Sequence, residues 1–137
     1  MPIITDDVTI REILAQVRRI AVIGLSPDPG RPSHGVARGM MEAGYEIIPV
    51  NPNADRILGL RTFDDLAYVT DTINMVTVFR DPKHVPSIVE LCIEKSVRNL
   101  WLQEGVIHRE AAREAASHGI HVVMDRCMYK DFNRLLG

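Results

Sequence analysis

Short apolar runs alternate along this chain with segments whose apolar residues recur at helical spacing, and this alternation is the strongest constraint on its fold. The runs are "RIAVIG", "YEIIPVNP", "INMVTVF", "NLWLQ" and "IHVVM". Because they are almost continuously apolar, they predict strands that are buried on both faces of a sheet. Short helical crossovers between such strands favour a parallel arrangement. The sequence therefore predicts a single α/β domain over residues 1–137, with a parallel, doubly wound sheet of about five strands and helices on both faces.

The segments beside these strands carry the helical pattern. Helices are expected from about Thr9 to Arg18, from an N-cap at Ser33 to Gly44, from Pro82 to Lys95, from His108 to His118 and along "YKDFNRLL". The stretch from Asn53 to Asp71 is less regular. It predicts a small edge strand followed by a short helix.

The composition argues against several classes of protein. The chain carries 16 basic and 18 acidic residues, a formal net charge of -2, and the two signs are mixed along its length. No broad basic face is available to neutralise nucleic acid, which is therefore not an expected partner. No apolar run approaches the ~20 residues of a membrane-spanning helix, and the N-terminus lacks the pattern of a secretory signal. Cys92 and Cys127 are the only cysteines and have no zinc-site spacing, so we expect a reduced, cytoplasmic protein without bound metal.

The segment "VIGLSPDPGRPSHGVARGM" joins the first strand to a helix, and it is predicted to hold a phosphate group. Gly24 ends the strand, and the N-terminus of the next helix offers N–H groups and a favourable dipole to an anion. The glycine spacing matches neither GxGxxG nor the P-loop. Prolines remove three donors. The N–H groups that remain as candidates are those of Ser26, Asp28, Gly30, Arg31, Ser33 and His34.

Side chains of this segment could add further contacts. Arg31 and the hydroxyl groups of Ser26 and Ser33 are candidate donors, and His34 lies beside the loop at the start of the helix. The alternative is a tight turn in which Ser33 only caps the helix and Arg31 is a solvated charge. We favour the binding interpretation because ligands gather at such loops in doubly wound sheets.

The end of the second predicted strand has the sequence "VNPN", without an acidic residue. Nicotinamide and flavin dinucleotide sites usually place Asp or Glu there to bind ribose hydroxyl groups. Asn51, Pro52 and Asn53, with Arg56 and Arg61 just beyond, suit an adenosine that carries an extra phosphate better than a bare ribose diol. The alternative is an Asx-turn followed by two exposed arginines.

Several separated blocks together resemble one known family. The run "IAVIGLSPDPGRPSHGVARGMMEAGYEIIPVNP", followed by "VFRDP", "LWLQEGV" and "VVMDRC", is similar to the bacterial CoA-binding domain proteins. These are stand-alone relatives of the N-terminal domain of the succinyl-CoA synthetase alpha subunit. The resemblance covers about Arg19 to Cys127, and it implies a Rossmann-like three-layer sandwich with coenzyme A across the carboxyl ends of the strands.

The resemblance also implies positions for the parts of the ligand. Gly24, Ser26, Arg31 and Ser33 would surround phosphate, and Asn51, Pro52 and Asn53 would border adenosine. Phe79, Arg80 and Pro82 would flank the middle of the molecule, and Gln103, Glu104 and Gly105 would lie on the pantetheine side. The sequence does not include the synthetase domain that carries a phosphorylated histidine. The resemblance therefore implies binding of CoA or an acyl-CoA, as a sensor, carrier or regulatory module, and its protein partner is not identified. The alternatives are a small enzyme acting on a CoA-linked or other nucleotide-linked substrate, and a subunit of an acyl-CoA ligase.

The cysteine and histidine residues are the candidates for chemistry beyond binding. None of the five histidines has a spacing from Cys, Ser or a carboxylate that is typical of a catalytic or metal site. Cys127 directly follows the last predicted strand, where its thiol could approach that of bound CoA. The alternative for Cys127 is a small buried hydrophobic residue in the turn before the last helix.

Overall fold

A computed structural model describes residues 3–137 of the protein, and its centre is a five-stranded parallel sheet. The strands are β1 (Arg19–Ile23), β2 (Glu46–Val50), β3 (Arg56–Ile57), β4 (Leu60–Arg61), β5 (Met75–Val78), β6 (Asn99–Leu102) and β7 (His121–Val123). The sheet has the order β2-β1-β5-β6-β7, while β3 and β4 form a separate antiparallel pair. All four pairings within the large sheet are parallel. The predicted fold class is confirmed.

Helices cover both faces of this sheet. They are α1 (Asp7–Gln16), α2 (Pro32–Glu42), α3 (Val85–Glu94), α4 (Arg109–Ser117) and α5 (Met128–Leu135). In β1, Ile20 and Val22 pack in one apolar cluster with residues of α1, α2 and α5. Ala21 and Ile23 point to the other face and pack with residues of α3 and α4. Strands with two buried faces explain why the apolar runs are continuous. Within residues 3–137, no helix has both the length and the hydropathy needed to cross a membrane.

Helices α1 and α3 begin at different residues from those predicted. The Asp6 carboxylate accepts a hydrogen bond of 2.9 Å from the Thr9 amide, so α1 starts at Asp7 and ends at Gln16. Before α3, the Asp81 side chain caps a 3-10 turn over Pro82–His84. In both places an aspartate that accepts a backbone hydrogen bond decides where the turn begins.

The irregular stretch after β2 extends the edge of the sheet. Phe63 forms a parallel bridge to Val50, where its amide donates to Pro49 and its carbonyl accepts from Asn51. A proline in β2 is tolerated because β2 is an edge strand. A 3-10 turn over Leu66–Tyr68 follows. In place of the expected single edge strand, the structure has the β3–β4 hairpin, whose strands are two residues long, and the bridge between Phe63 and Val50.

A buried carboxylate holds α5 in place. Asp131 accepts hydrogen bonds from Arg126, at 2.6 and 3.0 Å, and from Arg134, at 3.0 Å. Arg134 also forms two hydrogen bonds to Asp7 of α1. Burial raises the pKa of Asp131, but the hydrogen bonds from Arg126 and Arg134 outweigh it, and the pKa lies below its usual value. This network fixes α5, which begins at the carboxyl edge of the sheet.

Candidate functional site

A groove with two lobes crosses the carboxyl ends of the strands. The β2 lobe, beside the end of β2, has a volume of about 480 Å³. The β6 lobe, beside the end of β6, has a volume of about 520 Å³. Gly24, Phe79, Arg80 and Asp81 line both lobes and form the boundary between them. This boundary lies between β1 and β5, where the strand order reverses and where doubly wound sheets bind their ligands.

The structure brings most of the predicted site residues to this groove. The β2 lobe contains Asn51, Pro52 and Asn53; the β6 lobe contains Ser26, Arg31, Ser33, Pro82, Gln103, Glu104, Gly105 and Cys127; and Gly24, Phe79 and Arg80 line both. These residues come from the ends of five strands that are far apart in sequence. The chain fold therefore makes one continuous surface from the separated blocks.

His34 and Arg56 lie outside the groove, unlike the other predicted site residues. His34 is half-buried in the first turn of α2. Arg56 donates to the Gly59 carbonyl within the β3–β4 hairpin at 3.2 Å. Arg61 lies over the Phe63 ring, 5.8 Å from its centroid. The expected pair of arginines beside an adenosine phosphate is therefore not formed by Arg56 and Arg61.

Asn51 has a structural role at the end of β2. Its side-chain oxygen accepts from the Asn53 amide at 2.8 Å, and its side-chain nitrogen donates to the Leu25 carbonyl at 2.9 Å. The first of these bonds is the Asx-turn that the sequence offered as the alternative. The second ties the end of β2 to the loop after β1. Asn51 thus shapes the wall of the β2 lobe through the hydrogen bonds of its side-chain amide within the protein.

The loop after β1 is held by its own hydrogen bonds. The Ser26 amide donates to the Ser33 hydroxyl at 3.0 Å, the Asp28 amide to the Ser26 hydroxyl, and the Gly30 amide to the Asp28 carboxylate. Arg31, and not Ser33, is the N-cap of α2, because Pro32 occupies the first helical position. The predicted capping role of Ser33 is wrong.

These bonds reduce the number of amides that can face a phosphate. Of the six candidate N–H groups, those of Ser26, Asp28 and Gly30 donate within the loop. Those of Arg31 and His34 donate to the carbonyls of Asp28 and Arg31. A phosphate at this loop would therefore be bound mainly through the side chains that line the groove.

Gly24 permits a close approach between the ends of β1 and β5. Its φ is +84°, and a Cβ atom there would lie 2.7 Å from the Phe79 carbonyl oxygen. Both the conformation and the contact favour glycine. At Gly24, the boundary between the two lobes is therefore formed by backbone without a side chain. A larger residue at this position would alter the fold as well as the groove.

Several polar residues that the sequence did not single out line the β2 lobe. Asp64 and Asp65 lie on one side of it, and Lys83 and His84 follow β5 on the other. The position after β5 could have identified Lys83 and His84, since ligand contacts gather at strand ends. Asp64 and Asp65 had no such signal, because they belong to the irregular stretch that pairs with β2.

A buried polar chain supports the β6 lobe. Gln103 is 2% exposed, and its Nε2 donates to the Thr77 hydroxyl at 2.8 Å. The Thr77 hydroxyl donates to the Trp101 carbonyl, and the Met128 amide donates to Oε1 of Gln103. Gln103 therefore joins β5, β6 and α5. This arrangement positions the next residues, Glu104 and Gly105, at the rim of the lobe.

The two cysteines occupy different environments. Cys92 is fully buried on the inner face of α3, and burial raises its pKa to about 12. Cys127 is half-buried, precedes α5 and lines the β6 lobe. Among residues 3–137, no cluster of three or more His, Cys, Asp or Glu side chains could hold a metal ion.

Residues 18–133 match the family model described as "CoA binding domain". The chain belongs to the CoA-binding domain family. The matched residues include all five strands of the sheet and every residue that lines the two lobes. The resemblance seen in the sequence is confirmed.

Relatives of this CoA-binding domain protein include both small proteins and parts of large enzymes. It is 41% identical over 119 residues to "Uncharacterized protein YneT" of Bacillus subtilis, covering 87% of this chain and 88% of YneT. A structure titled "hypothetical protein from Pyrococcus horikoshii OT3" has a TM-score of 0.94 and 35% identity, covering 100% of this chain and 98% of that chain. An "Acetate--CoA ligase [ADP-forming] II" of Archaeoglobus fulgidus is 29% identical over 117 residues, which are 77% of this chain but only 17% of the ligase.

Ser33→Ala should reduce the stability of this CoA-binding domain protein by about 1 kcal/mol, because the half-buried Ser26 amide loses its acceptor. Ser33 is 5% exposed, so water replaces the lost bond poorly. Urea unfolding measures the change. Ser117→Ala is the matched control, since the exposed Ser117 hydroxyl donates to a backbone carbonyl. Equal losses for the two variants would contradict the role of Ser33 in holding the loop.

Proposed function

We propose that this protein binds coenzyme A, or an acyl-CoA, along the two-lobed groove. The observation that carries the proposal is the groove itself, whose two lobes meet at the boundary formed by Gly24, Phe79, Arg80 and Asp81. Each lobe is within the size range of small-molecule sites. A ligand with a nucleotide at one end and a long flexible arm at the other suits such a divided groove. Membership of the CoA-binding domain family supports the same ligand.

The charges in the groove support a ligand with phosphate groups. Arg80 lines both lobes, Arg31 lines the β6 lobe, and Lys83 and His84 line the β2 lobe. Arg80 Nη2 lies 3.1 Å from His84 Nε2, so these two side chains form one polar group beside the boundary. Arginine and lysine bind phosphate through charge-assisted hydrogen bonds. In this proposal, phosphates lie at the boundary, the nucleoside occupies the β2 lobe, and the pantetheine arm follows the β6 lobe.

The role that fits these features best is a non-catalytic sensor, carrier or regulatory module in the cytoplasm. The side-chain amides of Asn51 and Gln103 each form two hydrogen bonds within the fold. A second candidate is a subunit of an acyl-CoA ligase assembly, because a segment of an ADP-forming acetate–CoA ligase is similar to this chain. Gel filtration of the protein with cell extract separates the two, since only the ligase subunit should co-migrate with a larger partner.

Calorimetry should show that CoA binds at least about tenfold more tightly than NAD, the difference expected from one charge-assisted phosphate contact. The contact expected here is between the 3′-phosphate and the cationic side of the β2 lobe, which includes Lys83. Removing the 3′-phosphate from CoA should weaken binding by a similar factor, and Lys83→Ala should abolish that difference. Arg113→Ala, on the exposed face of α4, is the control. Equal or tighter binding of NAD would overturn the proposed function.

A further inference from the structure

The β2 lobe has an apolar floor of a size and character that suit a flat ring. Its floor is formed by Ile23, Val50, Leu66, Ile88 and Leu91. The first four of these side chains are at most 6% exposed. They come from two strand ends, the 3-10 turn and α3, and they leave polar groups only at the rim. An aromatic ring system in this lobe would therefore be oriented by its hydrogen bonds to the polar groups at the rim.

The rim has two acidic residues on one side and two basic residues on the other. Asp64 and Asp65 precede the 3-10 turn on the first side. Arg80 and Lys83 follow β5 on the second, together with His84 and with Asp81, whose carboxylate accepts a hydrogen bond from the Lys83 amide. An adenine nucleotide is complementary to this arrangement, because its exocyclic amine is a hydrogen-bond donor and its phosphates are anionic. With the phosphates on the basic side, the amine edge of the ring faces the acidic side.

The two carboxylates differ in how they are engaged. Asp65 accepts from the Ala67 amide at 2.9 Å and so caps the 3-10 turn. Asp64 is exposed, and within residues 3–137 its carboxylate takes part in no hydrogen bond or ion pair. An ionised carboxylate can only accept hydrogen bonds. Asp64 is therefore suited to accept from an amine and to disfavour an oxo group at the same position.

We propose that the Asp64 carboxylate accepts a hydrogen bond from the exocyclic amine of adenine, so that the β2 lobe selects 6-amino over 6-oxo purines. This inference rests on the proposed binding of CoA and adds the residue that determines base specificity. The same logic applies where Asp or Glu accepts from the exocyclic amine of cytosine in nucleic acids. A 6-oxo purine replaces the exocyclic donor by an acceptor, so at that position the carboxylate faces a second acceptor.

The test compares CoA with its analogue in which hypoxanthine replaces adenine, using calorimetry on wild-type protein and Asp64→Asn. Wild-type protein should bind CoA about tenfold more tightly than the analogue, as expected for one discriminating base contact. Asp64→Asn should bring the two affinities to within about twofold, because an amide can accept from an amine or donate to an oxo group. Asp71→Asn, at an exposed position outside the groove, should keep the wild-type ratio.

The remaining outcomes contradict either the selection of the base by Asp64 or the proposed function. If wild-type protein binds CoA and the analogue equally, or if Asp64→Asn keeps the wild-type ratio, Asp64 does not select the base while CoA binding stands. If Asp64→Asn strengthens the binding of both ligands by the same factor, the carboxylate acts only as a repulsive charge, and the inference fails. If wild-type protein binds neither ligand, the proposed function itself fails together with this inference.

Discussion

The Gly39→Ala variant should be less stable than the wild-type protein by about 2 kcal/mol, the usual cost of overpacking a tight contact. Gly39 is buried in α2, where an added Cβ would lie 2.5 Å from Cζ and 2.6 Å from Cε1 of the Tyr129 ring in α5. Real Cβ atoms do not approach ring atoms this closely, so the ring or α5 must move. Because α2 and α5 both border the β6 lobe, the same change should weaken CoA binding. Urea unfolding and calorimetry measure the two effects.

Gly35 provides the control for Gly39 within the same helix. It is exposed one turn earlier in α2, and a Cβ atom there would meet no atom within 4 Å. Gly35→Ala should therefore raise stability by about 0.5 kcal/mol through helix propensity. In a Tyr129→Ala background, Gly39→Ala should lose its cost, since the ring is the obstacle. A cost that persists without the ring would show that the contact with Tyr129 is not the cause.

The sheet was predictable because its signal is local. Val22 and its neighbours in β1 are all apolar, because helices cover both faces of the sheet and bury both sides of the strand. Gly44 was also predictable as the end of α2, because its φ of +106° favours glycine. The start of α2 was misassigned since Ser33 is a common N-cap residue. Pro32 carried the better signal, because proline favours the first helical position and makes Arg31 the N-cap.

The site was predictable only in part, because its walls depend on tertiary pairing. Arg80 and Glu104 were indicated by the family resemblance, and both line the groove because each follows the end of a strand. Asp64 reaches the groove through the bridge between Phe63 and Val50, which no local pattern indicates. Likewise, the sequence does not show that Gln103 has two buried partners from other elements. The family resemblance implied a place for Gln103 beside pantetheine, whereas in the structure its side-chain amide forms hydrogen bonds within the protein.

Oxidised CoA should form a mixed disulfide with Cys127 and leave Cys92 unmodified. Cys127 lines the β6 lobe at the start of α5, in the part of the groove proposed for the pantetheine arm, which ends in a thiol. In this reaction the Cys127 thiolate attacks one sulfur of the CoA disulfide. The new disulfide joins Cys127 to one CoA, and the second CoA leaves as a thiolate that takes up a proton. Cys92 serves as an internal control, because it is 0% exposed and its pKa is raised to about 12.

Intact-protein mass spectrometry followed by peptide mapping decides whether Cys127 lies within reach of the CoA thiol. Wild-type protein should gain the mass of one CoA at Cys127, and Cys127→Ser should gain none. Oxidised glutathione is the matched reagent, since it reacts by the same exchange but lacks the nucleotide that the β2 lobe is proposed to bind. CoA disulfide should therefore react faster than oxidised glutathione, and an excess of 3′-phosphoadenosine should slow it by competing for the groove. Three results would contradict this prediction: no adduct, an adduct of equal yield in Cys127→Ser, or equal rates for the two disulfides. Any of them would mean that the groove does not direct CoA to Cys127. Cys127 would then be only a small residue in the turn before α5.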